Sequence, residues 1–383
     1  MFQIELLMKL RMSVGWFTIF PANHQPLLSG NEEMNHISER LIGLDVARYF
    51  AFVGMVLVNF DIAMSYGVQS NGGFFNELIG QLQGRASATF VVLAGIGLGL
   101  SSFKIQNQTV NITVKRAIFL LILGLLNMSI FAGDILHYYA FYFLFGVFLL
   151  PFSNRVLISI ICLLNIVFFG LMLSIDYESG WNFEELTYSG FWTIDGFLRN
   201  LFFNGFHPIL PWLGFFLLGI LLSRALLNER QVQIKMIIWG LVLIIFSEII
   251  SFIFSSYLIS ADSELQFLVM TDSMPPMPLY FLAASGSAFL IIGLCLLYSE
   301  RFRKSNIYSL ISPAGTQTLT LYILHILVIL GFIDALGFTG SQTSSQAFVA
   351  ATIFCILGTI FAFAWSKWFR RGIFESLMRK LTG

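Results

Sequence analysis

Apolar runs long enough to cross a bilayer recur along the chain, separated by short breaks rich in charged residues, Pro, Gly or Asn. Crossing a hydrocarbon core of about 30 Å takes roughly 20 residues of α-helix. Ten runs fit this pattern: 45–65, 85–103, 115–132, 134–150, 155–175, 207–223, 235–259, 277–298, 315–336 and 346–368. Segments such as "IFLLILGLLNMSIF" are apolar on every face. A transmembrane barrel would instead alternate apolar and polar positions over strands of roughly 10 residues. The pattern therefore predicts an all-α fold, a polytopic transmembrane helical bundle of about ten spans.

Composition agrees: 57% of the 383 residues are apolar and 11% are charged, against about 25% charged in a soluble domain. The 21 basic and 21 acidic residues balance, which gives no reason to expect a nucleic-acid partner. Cys162, Cys295 and Cys355 lie inside apolar runs without CxxC spacing, which points to neither a disulfide framework nor a metal site.

The placement of charge predicts orientation, because Lys and Arg stay on the cytoplasmic side of short loops. With the N-terminus inside, every basic residue except Arg48, Arg85 and Arg199 falls in a cytoplasmic segment. The opposite side collects Asp176, Glu178, Glu184, Glu185, Asp195, Asp262, Glu264 and Asp272. An N-in/C-in bundle with an even number of spans follows. Its longest outer segments are 176–206 and 260–276, and "FWTIDGFLRNLFF" in the first reads either as an interfacial helix or as a surface loop. Residues 1–39 are an N-terminal extension, either interfacial or, for residues 1–33, upstream of a natural start at Met34. The break at "HPILPW" has no evident counterpart elsewhere, which argues against the paired broken helices of inverted-repeat transporters.

Ionisable groups inside a bilayer are costly and mark function by default. Asn59 and Asp61 near the outer end of span 1, Arg85 opening span 2, Asp134 and His137 opening span 4, and His207 opening span 6 share one depth. Glu248 and His325 reach the middle or outer part of the membrane at 1.5 Å of rise per residue. Bland roles exist for each: Asp134 as a helix cap, Arg85 snorkelling to lipid phosphate, and His325 or Glu248 bonding a neighbouring helix. His207 is the first choice as a general base, since Pro208 holds its backbone extended, Pro211 breaks the helix mouth, and imidazole exchanges protons near neutral pH. Asp134 and His137, three residues apart, form a second candidate pair.

At the inner end, Asp45 and Arg48 are spaced for an internal ion pair. Arg48, Lys104, Lys115 and Arg116 also ring a mouth where phosphates would dock. Gly95, Gly97 and Gly99 in "LAGIGLGLSS" lack the strand and GK[ST] of a nucleotide loop. They are read as a close-packing stripe or a groove.

The segments "RLIGLDVARYFAFVGMVLVNF", "GRASATFVVLAGIGLGL", "GDILHYYAF", "NGFHPILPWLGFFLLG", "LTLYILH" and "FRRGIFESLMRKLTG" occur in order from Arg40 to the end. Together they resemble an uncharacterised bacterial membrane family grouped with the heparan-α-glucosaminide N-acetyltransferases. The resemblance implies a single acyltransferase-like domain over 40–383 in a bacterial plasma membrane, with acetyl-CoA or another acyl-CoA as donor and no metal. It implies transfer of an acetyl group from the cytoplasmic side to a hydroxyl or amine of an extracytoplasmic glycan or lipid-linked acceptor.

On that expectation His207, His137, Asp134 and Arg85 are catalytic candidates, and Asn59, Asp61, Glu248 and His325 contact the acceptor. Asp45, Arg48, Lys115 and Arg116 serve the donor. Departures from the family pattern are Tyr49 in place of a glycine, Asn59 where related O-acyltransferases end span 1 in histidine, and no histidine over 60–84. The alternative is a proton-coupled transporter or exporter of a small polar molecule. A homo-oligomer is left open.

Overall fold

The computed structural model describes residues 41–66, 72–102, 108–183, 187–260 and 264–383. The extension 1–39, with the proposed start at Met34, and Lys104 lie outside these residues. The architecture is an all-α bundle. Its helices are α1 (Ile42–Ser65), α2 (Phe74–Leu82), α3 (Arg85–Ser102), α4 (Thr109–Met128), α5 (Leu136–Leu149), α6 (Asn154–Met172), α7 (Ile194–Arg199), α8 (Ile209–Ser223), α9 (Arg230–Ser260) and α10 (Pro278–Leu297). Then follow α11 (Ser299–Arg303), α12 (Asn306–Thr316), α13 (Thr318–Val328), α14 (Ser344–Ser366) and α15 (Ile373–Thr382). A two-stranded hairpin, β1 (Trp181–Asn182) with β2 (Thr187–Tyr188), lies in the segment expected to be an outer loop.

Each of the ten expected spans meets a helix, though not always one straight helix. Seven are long and apolar enough to cross a membrane, two more are bent pairs, and Leu136–Leu149 is a shorter apolar helix. One bent pair joins 194–204 to α8 at 53°. The "FWTIDGFLRNLFF" segment is therefore the first limb of a broken helix: α7 runs into a π-helical turn, Asn200–Asn204, that leads directly towards His207. Leu210 is non-helical (φ −91°, ψ 116°), because the Pro211 ring clashes with the backbone of the residue before it and pushes that residue out of the helical region.

The second bent pair corrects the expectation that "HPILPW" has no counterpart. Asn306–Thr316 and Thr318–Ile333 meet at 77°, the turn falling at Gln317 (φ −115°, ψ 27°), four residues past the Pro313 that α12 accommodates. The polar stretch "GTQT" at the entry to the run 315–336 is where the break lies, but nothing in it distinguishes a bend from an ordinary start of a span.

Burial orders the helices. The spans of α1, α3 and α10 are 61%, 56% and 72% buried, and nearly every residue of α8 is buried, whereas those of α6 and α9 are 11% buried. The first four form the centre and the last two present apolar surface outward, as a bilayer requires. Close approach at the centre rests on small residues. A methyl on Gly95 or Gly219 would overlap backbone of the facing helix, and one on Gly99 would overlap Ser223. Gly97 points elsewhere: its nearest neighbour is an Arg48 guanidinium nitrogen at 3.8 Å. The glycine stripe thus does both things expected of it, packing through Gly95 and Gly99 and leaving room at Gly97.

Candidate functional site

The outer end of the bundle holds a cavity of about 390 Å³. It is lined by Val58, Asn59 and Ile62 of α1, by the segment 128–133 after α4, by Tyr188, Phe191 and Trp192 after the hairpin, and by His207 and Trp212. These residues sit at the C-terminal ends of α1 and α4, whereas Asp45 and Arg116 sit near the N-terminal ends of the same helices. The cavity and the basic end therefore lie at opposite ends of the bundle.

His207 enters this cavity from the break before α8. Its ring packs edge-on against Trp212 at 4.5 Å between centroids, and its carbonyl accepts a bond from the Tyr142 hydroxyl. The Nδ1 atom is buried without a hydrogen-bond partner among the described residues. His137 is within electrostatic reach of His207, and its own ring stacks on Tyr138, which in turn lies 6.0 Å from the His207 ring.

Asp134 and His137 form a fully buried pair. The carboxylate Oδ2 accepts from His137 Nδ1 at 2.8 Å and from the His137 amide at 3.0 Å. The other oxygen accepts from Asn127 Nδ2 at 2.7 Å and from the Tyr322 hydroxyl at 3.4 Å. Asp134 is thus both the cap expected of it, holding an amide at the start of α5, and the partner that orients the imidazole. With Nδ1 donating to the carboxylate, neutral His137 keeps a lone pair on Nε2, and that atom has no partner in the protein.

A second histidine lies on the other side of Asp134. Tyr322 and His325 stand one turn apart on α13, and His325 Nδ1 donates to the Tyr322 carbonyl. Its Nε2 then accepts from Asn59 Nδ2 at 2.9 Å. The polar chain Asn59, His325, Tyr322, Asp134, His137 links α1, α13 and α5 through a region that is otherwise apolar, and Asn59 faces the cavity. Burying such a chain is tolerable because its members satisfy one another.

The remaining expected residues separate from this group. Arg85 and Glu248 form an ion pair between α3 and α9, with Thr271 donating to the same carboxylate at 3.3 Å. Asp272 lies close to both charges, and burial and Glu248 raise its pKa while Arg85 opposes the shift. Asp61 has a buried Oδ1 with no partner in the protein. At the inner end, Arg48 and Asp45 are paired at 2.8 Å. Lys115 is exposed, and Arg116 faces Arg371 and Arg379 of the C-terminal segment. Among the described residues, no group of His, Cys, Asp and Glu could hold a metal ion.

Tyr322, Asn127 and Glu375 are the residues that sequence reasoning missed. Tyr322 and Asn127 are polar positions inside apolar runs, a signal present but weaker than a charge. Glu375 lies far along the chain, in a basic amphipathic tail. Its carboxylate accepts from the Leu319 and Thr320 amides at 2.7 and 3.1 Å and from the Thr320 hydroxyl. The Thr320 hydroxyl in turn accepts from the Phe374 amide at 3.0 Å. The break before α13 leaves its first amides without intrahelical partners, and Glu375 supplies the missing acceptor.

Comparison with known families places two overlapping matches on the chain. Residues 40–260 match the family described as heparan-alpha-glucosaminide N-acetyltransferase, catalytic, which is more than half of the chain. Residues 212–383 match a family described as a protein of unknown function (DUF418). No curated protein matches. The Asn59–His325 contact joins a residue of the first match to one found only in the second.

Proposed function

The chain belongs to the heparan-alpha-glucosaminide N-acetyltransferase catalytic family, and from that premise we propose that this multi-pass membrane protein transfers acetyl, or another acyl group, from acyl-CoA to an acceptor in the His207 cavity. The acceptor is a hydroxyl or amine of an extracytoplasmic glycan or lipid-linked sugar, the donor enters at the basic inner end, and the membrane is a bacterial plasma membrane. The observation that carries this reading is a pair of buried imidazole nitrogens without a hydrogen-bond partner among the described residues: Nδ1 of His207, which lines the cavity, and Nε2 of His137, within electrostatic reach of it. Buried nitrogens without partners are costly in an apolar setting, and a reacting hydroxyl would satisfy them.

In the reaction His207 takes the proton of the acceptor hydroxyl or amine as its oxygen or nitrogen attacks the thioester carbonyl. The tetrahedral adduct then collapses, the carbon–sulfur bond breaks, and the proton passes to the departing thiolate. His137, held by Asp134, keeps its lone pair turned towards the same region and steadies the proton on the partner ring. Arg85, expected to meet the developing oxyanion, is already paired with Glu248, whereas Asn59 lines the cavity and its Nδ2 keeps a second hydrogen beyond the one given to His325, which makes it the better donor for that charge. Asp45 and Arg48 beside Gly97 support donor binding: the guanidinium is positioned by the carboxylate, and no side chain at Gly97 obstructs it.

One observation favours transport instead. The two bent helix pairs, at Gly205–Pro208 and at Gln317, fit the broken spans that transporters use around a central site. Calorimetry of acetyl-CoA with wild type, Arg48→Ala and His207→Ala separates the readings. Micromolar binding lost in Arg48→Ala and kept in His207→Ala is the expected result. Folded protein that binds no acyl-CoA, yet moves a small polar solute with protons in vesicles, would establish the transport reading.

A further inference from the structure

The inner end carries a second concentration of charge, centred on α15 and reaching Arg116, one of the residues expected to serve the donor. Residues Phe369, Arg370, Arg371, Ser376, Arg379, Lys380 and Gly383 line an open hollow on the surface beside α15. Arg116, in the second turn of α4, lies within electrostatic reach of Arg371 and Arg379, and its Nε is buried without a hydrogen-bond partner. Among the described residues, none of Arg116, Arg370, Arg371, Arg379 and Lys380 is in a salt bridge. The nearest carboxylate in sequence, Glu375, is already occupied by three donors at the start of α13.

Like charges gathered at short range repel unless an anion sits among them. The surroundings say what kind of anion. Phe374, Met378 and Thr382 turn towards the bundle, while Ile373, Leu377 and Leu381, one turn apart from each other, are 49%, 43% and 61% exposed. Trp368 and Phe369 just ahead of the helix are 75% and 51% exposed, and Phe369 stacks on Trp365 at 4.3 Å. A helix with an exposed apolar stripe, interfacial aromatic residues and a basic edge lies in the headgroup layer and attracts negative lipid. A free nucleotide or inorganic phosphate would use the cations and leave the apolar stripe without a role.

We propose that α15 and Arg116 form a binding site for an anionic phospholipid, its phosphodiester seated between Arg116, Arg371 and Arg379 and its acyl chains along Ile373, Leu377 and Leu381. Through Glu375 the bound lipid steadies the start of α13, the helix that carries Tyr322 and His325. The proposal does not depend on the acyltransferase reading, and its test uses no acyl donor.

The test is thermal unfolding of the purified full chain in detergent, with added phosphatidylglycerol or phosphatidylcholine. Phosphatidylglycerol is expected to raise the Tm by several degrees more than phosphatidylcholine in wild type and in Arg155→Gln, an exposed basic residue at the start of α6. At least half of that difference is expected to vanish in Arg371→Gln/Arg379→Gln and to persist in the double lysine variant. No selective shift in wild type, an equal shift in the glutamine variant, or the same shift from inorganic pyrophosphate without lipid would overturn the proposal. Native mass spectrometry of wild type decides the matter if the glutamine variant does not fold. Retention of phosphatidylglycerol where phosphatidylcholine is stripped is expected, and equal retention overturns the site.

Discussion

Asn59 Nδ2 lies 2.9 Å from His325 Nε2, across 266 positions of sequence. Asparagine, not histidine, stands near the outer end of span 1, and an imidazole reaches that asparagine from α13. Replacing either partner leaves the other polar group unpaired in an apolar bundle. Within membranes such pairs are worth about 0.6 kcal/mol on average and up to about 1.7. A double-mutant cycle with Asn59→Ala and His325→Ala is expected to return a coupling of about 1 kcal/mol in thermal stability, and additive effects would show that the contact is not made.

Asp134 accepts from four donors, two of them on His137. Asn at this position keeps the size but has only one acceptor atom, so its amide faces donors on one side. The expected result for Asp134→Asn is a loss of about 1.5–3 kcal/mol in stability, the scale of hydrogen bonds to a charged group, together with inversion of the His137 tautomer. Nitrogen-15 shifts of the imidazole report that inversion directly, and an unchanged tautomer with full stability would contradict the bonding described above.

Gly95 and Gly97 differ by one turn-half of the same helix and should behave oppositely. Ala at Gly95 forces α3 from α8, an overpacking of about 1–3 kcal/mol or more, so a marked fall in Tm is expected. Ala at Gly97 meets only the Arg48 guanidinium at 3.8 Å. There the Tm should hold within about a degree while affinity for acyl-CoA falls several-fold, measured by calorimetry on the folded variant.

Glu375 acts on α13 from outside it. Glu375→Ala removes the acceptor from the Leu319 and Thr320 amides, a loss comparable to deleting a helix cap, about 1–2 kcal/mol. Glu375→Gln keeps one carbonyl and should retain roughly half of that. A positioning role predicts further that the Asn59/His325 coupling shrinks in Glu375→Ala, whereas a merely structural loss would lower the Tm and leave the coupling as it was.

Arg85 and Glu248 join α3 to α9, and removing one member strands the other near the bilayer. Arg85→Met is expected to lower the Tm, by less than breaking a fully buried pair would because Glu248 is 40% exposed, and Arg85→Met/Glu248→Met to recover most of the loss. If Arg85 contacts the reacting carbonyl instead, the double variant would regain stability without regaining transfer, and comparing Tm with turnover on the two variants distinguishes these cases.

The class of molecule and the approximate place of every span are legible in the amino-acid sequence. Hydrophobic length is a local property: about 20 apolar residues leave the backbone no choice but helix in a medium without water. The sequence also marked Asp134, His137, His207, Asn59 and His325 as residues of interest, because a polar side chain in an apolar run is visible without knowing its neighbours. Tertiary structure alone decided how these residues combine. Nothing in the spacing pairs Asn59 with His325, assigns Arg85 to Glu248, or sends Glu375 to the amides of Leu319 and Thr320. Those contacts depend on which helix faces which, and helix order in space is set by close packing at Gly95, Gly99 and Gly219 and by the breaks at Pro211 and Gln317, none of which carries charge. Apolarity along the chain says that a helix is buried in the membrane. Only the packed bundle says what its few polar groups meet there, because each contact is made between residues that the chain holds far apart.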